Sequence, residues 1–184
     1  MVSTQAAGAR GGEVATPSPR DPVDVVREMA LRCLDRRAYG TTELKAVLLR
    51  KGADAEVVDD VLARLTRVGL LDDAAYAQAL VETRHGVRLQ SRQAVVLDMR
   101  RRGLSGDVVD AATATLDDEA DLAGARQVVA QKLRRLADLD SRTISRRLAG
   151  ALARKGYSPA VVSTVVGEVI RDLRDVVDSS ALDA

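Results

Sequence analysis

The sequence predicts an all-α fold, an elongated helical-repeat solenoid of three tandem three-helix units with about nine helices. Three observations point to it. Aromatic residues make up only 2% of the 184 positions, with no Trp and no Phe, so any core is built from Val, Leu and Ala. Interdigitating aliphatics suit helix-on-helix packing, whereas sheets draw on aromatic and β-branched residues together. After Pro22 the chain has a single further proline, Pro159, and its turn signals are short, as expected of helices joined by tight loops. The third observation is an internal repeat.

Lys51-Gly52-Ala53-Asp54-Ala55-Glu56-Val57-Val58 is echoed by Arg102-Gly103-Leu104-Ser105-Gly106-Asp107-Val108-Val109 and again by Lys155-Gly156-Tyr157-Ser158-Pro159-Ala160-Val161-Val162. Each copy has a basic pair (Arg50-Lys51, Arg101-Arg102, Arg154-Lys155), then Gly, one residue, and Asp or Ser. Apolar residues precede each Gly by four and eight positions: Leu48 and Leu44, Met99 and Val95, Leu152 and Leu148. That spacing places them on one helix face. The Gly ends the helix in a left-handed conformation that only Gly takes without strain. Basic residues in the last turn complement the negative end of the dipole. The Asp or Ser caps the next helix, whose apolar stripe is expected to run Val57, Val61, Leu65; Val108, Ala112, Leu116; and Val161, Val165, Val169.

One further helix leads each hairpin. Asp21-Pro22 opens the first as an N-cap acid with Pro at the first helical position. It is expected to span Val23 to Ala38 with Val26, Ala30, Cys33 and Leu34 inward. The second lead helix is expected from Asp73 to Arg84 (Tyr76, Ala77, Leu80, Val81), the third from Asp118 to Leu136 (Leu122, Val129, Leu133, Leu136). The expected organisation is therefore a disordered tail over 1–20, units over 21–71, 72–116 and 117–177, and a flexible tail over 178–184. The first 20 residues are rich in Gly, Ala, Ser, Thr and Pro without an apolar period, too little to offset the entropy of ordering. A unit of about fifty residues is marginal alone, so stacking is expected to complete its core.

Composition excludes several classes. Lys+Arg 28 against Asp+Glu 27 gives a net charge of +1, unlike a protein that coats nucleic acid with its whole surface. The single cysteine, Cys33, forms no internal disulfide and fits a reducing cytoplasm. No apolar run is long enough to span a membrane, and no signal peptide is visible.

The central segment carries a resemblance. Ala30-Leu31 and Leu34, then Thr42-Glu43-Leu44, Leu48, Lys51-Gly52, Val58, Leu65 and Gly69-Leu70-Leu71-Asp72-Asp73, followed by Tyr76-Ala77, resemble the RecX family of recombinase regulators. That family shows a Glu-Leu and Lys-Gly hairpin followed by Gly-x-x-Asp-Asp-x-x-(Tyr/Phe)-Ala. Arg101-Arg102-Gly103 and Ala153-Arg154-Lys155-Gly156-Tyr157 fall where such proteins have their second and third repeats, and the similarity spans about Val23 to Leu173. The resemblance implies a protein of homologous recombination, DNA repair and the SOS response. It would bind the RecA recombinase as a filament on single-stranded DNA and inhibit ATPase, strand exchange and coprotease activities. Lying along the filament's helical groove would suit an elongated array. The chain departs from the family at Gln93-Ala94-Val95 and in the loop His85-Gly86-Val87-Arg88, which are less basic than in many members. Single-stranded DNA contact is accordingly expected to be weak or RecA-dependent.

Charge is segregated along the chain. Arg84 to Arg102 holds six Arg and one acid, Asp98, and Arg126 to Lys155 holds nine basic residues against Asp138 and Asp140. Gly103 to Asp121 between them has six acids and no base. For any one pair, a solvated helix end is the simplest explanation. Recurrence at one structural position favours a discontinuous basic surface that meets phosphate or acidic protein patches. The candidate partner-binding residues are Arg50, Lys51, Arg84, Arg88, Arg92, Arg101, Arg102, Arg134, Arg135, Arg146, Arg147, Arg154 and Lys155.

Catalysis, cofactor and metal binding find no support. His85 is the only His and is expected to be a lone surface residue. Cys33 sits on an apolar stripe as a small core residue. Asp72-Asp73 and Asp117-Asp118-Glu119 stand at helix starts and are expected to act as caps rather than metal ligands. Tyr39, Tyr76 and Tyr157, isolated at helix boundaries, are expected to pack with a wet hydroxyl rather than stack bases. No phosphate-cradling loop or nucleophile elbow occurs. A monomeric, non-enzymatic, cytoplasmic regulator is the expectation. The alternatives are a helix-turn-helix DNA-binding regulator and a generic helical adaptor. Against the former, the helices after each Gly begin Val-Val and are acidic rather than rich in Arg, Asn and Gln.

Overall fold

The computed structural model describes residues 21–136 and 138–182. The expected tail over 1–20 lies outside the described residues. The first unit comprises α1 (Pro22–Leu34), α2 (Thr41–Arg50) and α3 (Ala55–Arg67). The second comprises α4 (Asp73–Val81), continued by a π-helical segment (Glu82–Val87), then α5 (Arg92–Arg101) and α6 (Gly106–Ala112). The third comprises α7 (Asp118–Leu133), α8 (Ser141–Arg154) and α9 (Pro159–Leu182). Among the described residues there is no strand.

Helix ends follow the local chemistry. Asp21, Asp54, Asp72, Ser91, Ser105, Asp117 and Asp140 each accept from a first-turn backbone N–H as N-cap, satisfying donors that a helix start leaves orphaned. Gly52, Gly103 and Gly156 take φ of 85°, 79° and 86°, and the last helical carbonyls close onto the turn that follows each. Some boundaries differ from expectation. α1 ends at Leu34 rather than Ala38, and α7 at Leu133 rather than Leu136. α9 runs to Leu182, past the expected unit end at 177, because no Gly or Pro interrupts it beyond Gly167. The helix expected from Asp73 to Arg84 switches to π geometry at Glu82, and the segment closes at Leu89 with φ of 51°.

The apolar stripes keep the expected register at Val61, Leu65, Ala112, Leu116 and Val165, all buried, and differ at their first residue. Val58 and Val109, the second residues of their Val-Val pairs, are fully buried, while Val57 and Val108 are half-buried.

Each unit buries its own core. Val26, Ala30, Leu44, Leu48, Val58, Val61, Leu62 and Leu65 close the first. Tyr76, Ala77, Leu80, Val95, Met99, Leu104 and Val109 close the second. Ala125, Val128, Val129, Ile144, Leu148, Leu152, Tyr157 and Val165 close the third, which Leu89 enters from the second unit. Extensive helix contacts lie within units; stacking adds to the cores at their edges, through Leu89 in the third core and Leu104 and Tyr76 against Gly40, beside the polar joints. The cross-unit hydrogen bonds join the first unit to the second and the second to the third.

Candidate functional site

The two joints use one arrangement twice. In the first, Asp73 at the start of α4 accepts from the Thr41 N–H at 2.8 Å, capping the N-terminus of α2. In the second, Asp121 of α7 accepts from the Arg92 N–H at 2.8 Å, capping α5. Each lead helix thus supplies an anion to the positive end of a helix in the preceding unit. The hairpin turns of the second and third units dock beside these same helix starts. A Cβ on Gly103 would lie 2.5 Å from Thr42, and one on Gly156 would lie 2.7 Å from Ala94 and 2.9 Å from the Ser91 Oγ.

Glu43 is the hub of the first joint. It accepts from Arg37 at 2.8 Å and from the Tyr76 hydroxyl at 3.0 Å, while Arg102 donates to that hydroxyl at 2.8 Å and lies 3.5 Å from the carboxylate. Burial pushes the Glu43 carboxyl up, but hydrogen bonds from Arg37 and Tyr76 and the Arg37 and Arg102 charges hold it below its ordinary value. Burial works against the Arg102 charge, yet Tyr76, Asp98 and Glu43 keep the guanidinium more firmly protonated than usual. In the second joint Ser91 donates its N–H to the Lys155 carbonyl at 3.0 Å and its hydroxyl to the Gly156 carbonyl at 2.7 Å. The Lys155 ammonium donates to the Arg88 carbonyl. Tyr157 donates to the Leu89 carbonyl at 3.0 Å, and burial, then Asp121, push its phenol up to about 12.

Beside the second joint, α7 and α8 enclose a groove of about 700 Å³. Lys132, Arg135, Arg146, Arg147, Arg154 and Lys155 line it over a floor that includes Val128, Leu136 and Gly150, and no carboxylate lines it. Among the described residues none of these six cations has an ion-pair partner. Burial, and then the neighbouring Lys132 charge, lower the affinity of Lys155 for its proton. Six uncompensated cations around one groove form a concentrated positive field suited to oxyanions.

The structure sorts the candidate residues into three groups. Arg135, Arg146, Arg147, Arg154 and Lys155 converge on this groove, and Arg134 lies beside Arg135 on a shallow neighbouring surface. Arg50, Lys51, Arg88, Arg92 and Arg101 are exposed elsewhere. Arg84 and Arg102 are half-buried and paired with Asp98, at 3.0 and 3.2 Å, and Arg102 also reaches Tyr76 and Glu43, so both charges are already engaged within the fold. Lys132 is not among the sequence-derived candidates; its signal is the face it shares with Val128 and Arg135, at spacings of four and three.

The remaining expectations fall on both sides. Asp72 and Asp117 are caps, as expected. Among the described residues no cluster of His, Cys, Asp and Glu could hold a metal ion, and no helix is long and apolar enough to cross a membrane. Cys33 is buried. His85 is half-buried rather than a surface residue, with Nδ1 2.9 Å from the Gln90 carbonyl. The Tyr76 and Tyr157 hydroxyls donate to Glu43 and to the Leu89 carbonyl, and Tyr39 stacks under the Arg37 guanidinium at 3.6 Å.

Comparison with known proteins matches each unit separately. Residues 27–65 match the profile described as RecX, first three-helix domain; residues 72–112 the second; and residues 118–166 the third. The chain belongs to the RecX family. Over 170 residues it is 38% identical to the regulatory protein RecX of Streptomyces coelicolor, covering 92% of this chain and 88% of that one. Over 154 residues it is 40% identical to the regulatory protein RecX of Mycobacterium marinum, covering 82% and 88%. The crystal structure of RecX from Lactobacillus salivarius superposes with a TM-score of 0.66 at 16% identity, over 80% of this chain and 96% of that one. At that identity the likeness speaks for the fold, which this RecX-family chain shares.

Proposed function

We propose that this RecX-family chain is a negative regulator of RecA that binds the recombinase filament on single-stranded DNA and inhibits its ATPase, strand exchange and coprotease activities. The observation that supports the reading is the set of unpaired cations on a three-unit array, concentrated in the α7–α8 groove. A filament presents repeated acidic and phosphate surfaces, and an array whose units carry separate cores can contact several subunits at once. The protein acts as a monomeric, non-enzymatic, cytoplasmic regulator without a cofactor. With no exposed ring near the groove, its direct contact with DNA is weak away from RecA.

The test is the DNA-stimulated ATPase of the cognate RecA, titrated with this protein. Inhibition is expected well below one molecule per RecA subunit. Reversing Arg146 and Arg147 to Glu is expected to weaken it about tenfold or more, in keeping with the cost of placing like charges against a complementary surface. Arg101→Glu is expected to weaken it less. Absence of inhibition by folded protein at excess would leave a generic helical adaptor or a helix-turn-helix DNA-binding regulator.

A further inference from the structure

The turn that follows α8 belongs to two structures at once. On one side Arg154 and Lys155 line the basic groove. On the other, the same turn makes the joint to the second unit, through the Lys155 ammonium on the Arg88 carbonyl, the Ser91 bonds to the Lys155 and Gly156 carbonyls, and Tyr157 on the Leu89 carbonyl. Among the described residues Lys155 is the one groove cation whose charged head is also a joint contact. We propose that the α7–α8 groove is a phosphate-oxyanion site and that its occupancy tightens the joint between the second and third units, with Lys155 as the shared group. The inference rests on reading these cations as a contact surface, and it adds a ligand class and a consequence of binding.

The physical reasoning begins with the donors. An ammonium has three N–H donors, and the Arg88 carbonyl takes one. An oxyanion in the groove can take another without displacing the first. Its negative charge offsets both the burial of Lys155 and the repulsion from Lys132, the two effects that weaken its hold on the proton. An oxyanion bound beside Lys155 restrains its side chain in the orientation that reaches the Arg88 carbonyl, so less rotamer freedom is left to lose when that bond forms. The turn is then fixed against Ser91, and the third unit against the second. Linkage requires the converse: a tighter joint raises oxyanion affinity by the same factor.

Phosphate is favoured over protein carboxylate by form and charge density. The groove runs between two neighbouring helices and offers four guanidiniums and two ammoniums with no lining carboxylate. A slim chain with a full charge on every unit fills such a trough, and guanidinium forks match phosphate oxygens. The absence of an aromatic side chain among the lining residues makes the contact one to backbone phosphates, not to bases.

The experiment measures amide hydrogen exchange across residues 88–95 of the full chain, with and without tripolyphosphate, a twelve-residue oligothymidylate, or hexaglutamate, while calorimetry follows binding. Tripolyphosphate is expected to bind and to raise protection of the Ser91 N–H severalfold. Lys155→Met is expected to retain binding through the other five cations but to lose the gain in protection. Protection by the oligothymidylate as well would identify a nucleic-acid backbone as the source of the phosphate; protection by tripolyphosphate alone would identify a free polyphosphate. Binding without added protection, an equal gain in Lys155→Met, no binding of either phosphate probe, or a response to hexaglutamate alone would each overturn the inference. The recombinase assay is separate: inhibition that persists while the groove binds no phosphate removes this inference and leaves the proposed function standing.

Discussion

At the scale of single residues, the least expected requirement is a glycine inside a helix. Gly124 lies in α7, where Gly costs about 1 kcal/mol relative to Ala. Its presence is explained by the Tyr157 hydroxyl, which lies 2.7 Å from where a Cβ would stand, while the next nearest atom, Tyr157 Cζ, is 3.7 Å away. A strong non-additivity follows. Gly124→Ala alone should destabilise by about 1–3 kcal/mol, because it forces the hydroxyl off the Leu89 carbonyl. Tyr157→Phe alone should cost about 1–2 kcal/mol for the unpaired carbonyl. Gly124→Ala added to Tyr157→Phe should be neutral or stabilising by up to about 1 kcal/mol, since the clash is gone and helix propensity remains. Chemical denaturation of the four proteins measures the cycle, and simple additivity would contradict it.

At the scale of elements, three turns with one sequence signature do different work. All three glycines adopt left-handed φ, so each Gly→Ala change carries a backbone cost of about 1 kcal/mol. Around Gly52 nothing lies within 4 Å of where a Cβ would stand, whereas Gly103 faces Thr42 and Gly156 faces Ser91 and Ala94. The residue after each Gly agrees: Leu104 and Tyr157 are large and buried in docked turns, while Ala53 is small in the free one. Among the described residues the first turn packs against no other unit, whereas the other two dock on a neighbour. Melting temperatures should therefore fall modestly for Gly52→Ala and clearly further for Gly103→Ala and Gly156→Ala. Equal shifts would show that the docking contacts contribute little.

At the scale of the whole molecule, three separate cores joined by polar contacts make the joints the parts most responsive to solvent conditions. Glu43 holds the first joint with a carboxyl that titrates below its ordinary 4.5. A depressed folded-state value means its contribution is complete above the unfolded value and is lost as pH falls through the folded one. Exchange protection at the Thr41 N–H, which Asp73 caps across the joint, should decline as acid takes the pH below the ordinary carboxyl value and through the depressed folded-state one, before the cores open. Glu43→Gln should lower that protection at neutral pH and flatten its decline with acid. A decline as steep in Glu43→Gln as in the unaltered protein would assign the effect to other carboxylates.

The sequence by itself determined the helices, their order and their grouping in threes, because these are set locally. A Gly that stops a helix, an Asp or Ser that caps the next, and apolar residues four apart act over a few residues and leave a visible period. It also determined that Asp72 and Asp117 are caps. The tertiary structure alone decided which cations are available. Arg101 and Arg102 are adjacent and chemically alike, yet the helix turns about a hundred degrees between them, so one faces solvent and the other meets Asp98, Tyr76 and Glu43. The π-helical turn after Val81, the separate cores and the sharing of Lys155 between groove and joint were likewise invisible, because each depends on residues tens of positions apart meeting in space, and no short-range pattern records that meeting.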